Sequence, residues 1–177
     1  MLRSLALMAV LVSAGGCATM TVSSHVAPQL DVRPYRTFSW GLPDALPAGD
    51  PRLEENTFFK DHIEGAVERQ LARHGLTIVG DGGDLQMHYH AVITPRLDVN
   101  RLDRDRGACI GEICDPPTIE YEQGTLILDI VDTATGRLIW RGWAQHAIEP
   151  ALRSRDRMAR DIEDAVRRML DRFPRAL

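Results

Sequence analysis

The sequence predicts an α+β fold, a two-layer sandwich whose mainly antiparallel sheet carries two helices on one face. Three observations predict it. Residues 120–144 alternate apolar and polar residues along two runs flanking a turn, residues 56–74 and 154–173 repeat apolar residues at three- and four-residue spacings, and the shorter β-rich runs lie next to one another in the chain.

Residues 1–16 stand outside the fold. Arg3 gives a positive start, Leu5 to Val12 form an apolar run too short to span a bilayer, and small residues lead to Cys17. This is an export signal. Residues 17–34 read as an N-terminus, a tether and a first strand over Thr19 to His25. Residues 35–177 read as a single domain, within the size range of one hydrophobic core. The formal charge of −4, one unit more acidic once Arg3 is removed, argues against nucleic acid and against general attraction to anionic lipid.

Tyr35 to Trp40 is a strand, and the proline- and glycine-rich Gly41 to Pro51 is a loop. A helix follows from Asn56 to His74, its stripe made of Phe59, Ile63, Ala66, Val67 and Leu71, with Gly75 as the stop. Leu76 to Val79 is a short strand that Gly80 to Gly83 turn into a second, Asp84 to Thr94, so the two are expected to form a hairpin. Along the second, Leu85, Met87, Tyr89, Ala91 and Ile93 take the core side, and His88 and His90 the other.

Pro95 to Pro117 has no periodicity; a loop of that length is functional or mobile. The hairpin of residues 120–144 follows. A three-residue loop of Ala134, Thr135 and left-handed Gly136 sets Val131 opposite Ile139, Ile130 opposite Trp140, Asp129 opposite Arg141 and Ile127 opposite Trp143. Leu126, Leu128, Ile130, Leu138 and Trp140 then face the core. The closing helix carries Met158, Ile162, Ala165, Val166, Met169, Leu170 and Phe173 inward, with Ser154 as its cap.

The small-residue run before Cys17 resembles the lipobox of bacterial lipoproteins, although Ala14 stands where a large aliphatic is usual. That resemblance implies cleavage before Cys17, diacylation of Cys17 with palmitate-like chains, and attachment to the membrane through them. Ala18, which is not Asp, resembles the signal for the outer membrane, with the protein facing the periplasm. The alternative is ordinary secretory cleavage after Ala18. In an oxidising compartment Cys109 and Cys114 are expected to form a local disulfide; a metal site or a redox dithiol is the other reading of this pair.

Candidate sites are few. His88 and His90 share a strand face, but two ligands do not make a metal site, and solvated or hydrogen-bonded histidines are the simpler reading. Asp98, Asp103 and Asp105 are interleaved with arginines that would repel Ca²⁺. The chain has no G-x-S-x-G, H-E-x-x-H or phosphate-loop pattern, so no catalytic residue, metal or cofactor is assigned, and an enzyme is not expected. The outward face with Ile127, Asp129, Arg141, Trp143, His88 and His90 is the candidate binding face, for an envelope protein or an amphipathic ligand.

Cys17, Y-R-T-F-S-W at 35–40, E-Q-G-T-L-I-L-D-I-V-D with L-I-W-R-G-W-A, and a helix ending in Phe173-Pro174 together resemble the bacterial lipoproteins of the domain of unknown function 4136 (DUF4136) family. The resemblance implies a cell-envelope lipoprotein and supplies no catalytic residue. A non-catalytic binding or structural module is expected, with a periplasmic ligand carrier or an enzyme of unrecognised class as the alternative.

Overall fold

The computed structural model describes residues 20–41, 49–97 and 120–175. Its elements run β1 (Thr21–Val26), β2 (Thr37–Trp40), α1 (Pro51–Glu54), α2 (Thr57–Arg73), β3 (Thr77–Ile78), β4 (Leu85–Leu97), β5 (Glu120–Asp132), β6 (Arg137–Ala147), α3 (Glu149–Leu152) and α4 (Arg155–Leu170). The strands form one sheet in the order β1-β6-β5-β4-β2-β3. The class is α+β. The sheet is mixed, because β2 runs parallel to both of its neighbours while the ladders from β1 to β4 are antiparallel.

That parallel strand corrects the expected hairpin of residues 76–94. β2 lies between β3 and β4, so the two never pair. Asp84 holds it there, its carboxylate accepting the backbone N–H of Arg36 at 2.7 Å and of Thr37 at 2.9 Å. The Thr37 hydroxyl accepts the Asp84 N–H in return at 3.0 Å. Gly83 permits the approach: a Cβ there would stand 2.5 Å from the Phe38 carbonyl carbon and 2.6 Å from the Ser39 nitrogen.

The β5–β6 register follows the sequence reading from Ile130↔Trp140 through Leu126↔Ala144. Nearer the turn it departs. Val131 pairs with Leu138 and Asp132 with Arg137, leaving Ile139 as an extra residue in a bulge. The loop is therefore four residues, 133–136, with Gly136 at φ 66° and its N–H donating to the Asp132 carbonyl at 2.8 Å. The bulge reverses two side chains. Leu138, expected in the core, is 40% exposed, and Ile139 is 7% exposed.

Both long helices start where a side chain can accept an unpaired N–H. Asn56 accepts from Phe59 and Ser154 from Arg157. Gly75, at φ 83°, follows the end of α2 in the left-handed conformation expected of a stop. The expected stripes are buried, with Gln70 added to the first. α1 and α3, single turns that begin at or next to a proline, have no counterpart in the periodicity; four residues are too few to express it.

One cluster unites these stripes with Leu85, Met87, Leu128, Ile130 and Trp140 of the sheet, all completely buried. Phe173, past the end of α4, meets the Trp140 ring edge-on with centroids 5.8 Å apart. On α2, Glu68 accepts from the Trp40 indole at 3.3 Å.

Candidate functional site

β5 lies between β4 and β6, so its register decides which side chains share the sheet face opposite the Trp140 side. Two adjacent rows result. His88 stands opposite Asp129, itself opposite Arg141; His90 stands opposite Ile127, itself opposite Trp143. All six residues singled out in the sequence thus form one block. β1 extends both rows, setting His25 beside Arg141 and Ser23 beside Trp143.

The centre of the block is an ion pair. Arg141 Nε and Nη2 donate to Asp129 Oδ1 and Oδ2, each at 2.6 Å, in the parallel fork that planar guanidinium and carboxylate groups favour. These bonds raise the Arg141 pKa above its ordinary value, against the opposing effect of burial. The pair uses one lone pair on each Asp129 oxygen and neutralises its charge.

The face is less open than an alternating strand suggests. Asp129 and His90 are 6% and 7% exposed, while Ile127, Trp143, Arg141 and His88 are half-buried. Central strands explain part of this, since Arg141 lies across Asp129 and long neighbours flank His90. The His88 ring occupies the space over Gly41, where a Cβ would come within 2.1 Å of it. Among the described residues no group of three metal-ligating side chains forms.

Two participants, His25 and Gly41, were not identified from the sequence. Neither carries a local signal, because the β1–β6 pairing and the exit of the chain from β2 join residues far apart in sequence. Cys17, Cys109, Cys114 and the three loop aspartates lie outside the described residues.

On the opposite side, where the helices pack, a small cavity of about 70 Å³ opens between the sheet and the starts of α1, α2 and α4. Leu53, Phe59, Leu126, Ile148, Met158 and Ile162 line it, together with His146 and Asp161. His146 has the parity of Trp140, as the alternation requires. Its Nδ1 is buried with no hydrogen-bond partner among the described residues.

A family model described as "Domain of unknown function (DUF4136)" matches residues 22–175. No curated protein matches. Among solved structures, a PDZ domain protein from Parabacteroides distasonis ATCC 8503 is similar over 91% of this chain, at 16% identity and a TM-score of 0.55. The chain spans only 37% of that protein, and the likeness is one of fold. A PelC dodecamer from Paraburkholderia phytofirmans is 10% identical over 90% of this chain and 100% of its own, with a TM-score of 0.49. A minor lipoprotein from Acinetobacter baumannii is 12% identical over 78% of this chain and 91% of its own, with a TM-score of 0.38.

Proposed function

The chain belongs to the DUF4136 family, and from that premise we propose that it is a cell-envelope lipoprotein whose domain binds or holds an envelope component without catalysing a reaction. Anchoring through acyl chains on Cys17 in the outer membrane, facing the periplasm, is the reading its leader supports. We read the fold as a two-layer sandwich, because both helix stripes join the single cluster built on the Trp140 side of the sheet.

One observation carries the binding role: the block of His88, Asp129 and Arg141 beside His90, Ile127 and Trp143. It combines an aromatic and an aliphatic side chain with a neutralised ion pair and two imidazoles, a composition suited to a protein partner. The test is in-cell photo-crosslinking from position 143 with mass spectrometry of the adducts. A recurrent envelope protein is the expected capture; a yield no different from that of a probe at the remote position 78 would remove the proposal's support.

The cavity favours a second reading, a carrier of a small apolar ligand. It is about half the 150 Å³ of an engineered cavity that takes benzene. Ala165→Leu would fill it from α4. Loss of apolar-probe binding in that variant, with position 143 crosslinks unchanged, would favour the carrier.

A further inference from the structure

The core-side rows of the sheet are not filled alike. Gly142 leaves a gap opposite Leu128, and the Trp140 ring takes it: a Cβ at 142 would stand 2.3 Å from Trp140 Cη2. The next core-side row runs Ala91, Leu126, Ala144, and the row after it sets Gly124 between Ile93 and His146. Facing these small residues from the helix side are Ala151 and Ala165, both buried. A close-packed interior sets large side chains against small ones. Here small meets small, and the cavity of about 70 Å³ is what remains.

The walls decide what such a void can take. Ile148 closes one side by lying over Gly124, its Cδ1 2.7 Å from where a Cβ at 124 would stand. Leu126, Phe59 and Ile162 supply apolar surface, and Asp161, the one carboxylate of the lining, is already paired with Arg157 at 3.1 Å. No lysine or arginine is among the lining residues. The interior therefore offers apolar contact and no partner for a charged head.

Size narrows the class further. A void about half as large as one that takes benzene excludes a six-membered ring and admits roughly the last three carbons of a chain. Met20 and Met158 of the lining are unbranched and flexible, so the walls can follow chains of different length.

We propose that this cavity is the seat for the end of an unbranched alkyl chain, with the polar end of the ligand left in solvent. The inference rests on the carrier reading and names its ligand class.

The test titrates the intact protein, labelled in its methionine methyl groups, with n-hexanol and with its ring counterpart cyclohexanol, and follows the methyl signals by NMR. Met158 reports the cavity, and Met87, completely buried but outside the lining, reports the rest of the core. n-Hexanol should move the Met158 signal at about tenfold lower concentration than cyclohexanol, the order of effect expected from forcing extra width into a packed site, while Met87 stays in place. Ala165→Leu, which fills the void, should abolish the Met158 response; if that protein does not fold, Ala91→Val fills the void from the sheet. Cyclohexanol binding as well as n-hexanol, with the filled variant blocking both, would overturn the chain class and leave a carrier of small apolar ligands. No Met158 response to either alcohol, a Met87 response equal to that of Met158, or undiminished binding in a folded filled variant would overturn the carrier reading and the seat together.

Discussion

Asp129 and Arg141, twelve residues apart in the chain and directly opposite in the sheet, form a two-pronged ion pair whose carboxylate is buried and whose guanidinium is partly open to solvent. Removing one member leaves the other without its partner. Arg141→Met should destabilise the domain by about 2–3 kcal/mol, below the ~3–5 kcal/mol of fully buried pairs because the arginine side is partly solvated. Asp129→Leu combined with Arg141→Met should recover most of that loss. Urea unfolding of the single and double variants measures both; a double variant no more stable than the single one would contradict the account.

The bulge makes a sharper distinction. Ile139→Ala should cost about 2–4 kcal/mol, as truncation of a buried isoleucine does, whereas Leu138→Ala should change stability by less than about 1 kcal/mol. Unbulged pairing predicts the reverse order. Thermal midpoints of the two proteins decide between them.

Tyr35 donates its hydroxyl to Asp132 Oδ2 at 2.6 Å, across 97 residues of sequence. Burial, followed by that bond, raises the Tyr35 pKa to about 12, while the bond to Tyr35 is the largest influence lowering the Asp132 pKa. The contribution of the bond is therefore full from the ordinary carboxylate range near 3.8 up to the ordinary phenol value of 10.0. It is lost as pH falls through the depressed Asp132 value, and again as pH rises through about 12. Tyr35→Phe should cost about 1–2 kcal/mol at pH 7 and progressively less in acid. A penalty independent of pH, measured by denaturant unfolding at several pH values, would show that the hydroxyl only fills space.

Gly83→Ala should be far more damaging than Gly80→Ala. A Cβ at 83 meets the β2 backbone, which cannot rotate away, but one at 80 meets nothing within 4 Å. The first should cost at least about 1–3 kcal/mol, in the range of overpacked sites. Hydrogen exchange of the Phe38 and Ser39 amides would locate the damage in β2.

His74, the C-cap of α2, packs its ring against Phe173 at 5.7 Å, and burial lowers its pKa below 6.5. Its neutral form is the one the fold favours. Stability should be complete above pH 6.5 and decline as pH falls through the depressed value. In His74→Gln that component of the pH dependence should vanish. An unaltered slope between pH 7 and 5 would assign it to other groups.

The sequence by itself determined the elements whose evidence lies within a few consecutive residues. Apolar spacing placed both long helices and their buried stripes, the side chain at position 154 marked the start of the second, and alternation assigned the two faces of β4 and most of β5 and β6. Strand parity and one tight turn also suffice to pair Asp129 with Arg141 and Ile127 with Trp143, whereas the β4–β5 ladder sets His88 and His90 beside them. Tertiary structure decided the rest. The Ile139 bulge depends on what the core accepts beside Trp140, and the insertion of β2 between β3 and β4 depends on Asp84 binding amides 47 and 48 residues away. β1 joins β6 across more than a hundred residues, which alone sets His25 beside Arg141. Local periodicity records which side of an element is apolar. Which elements become neighbours is fixed only when those apolar sides compete for one core.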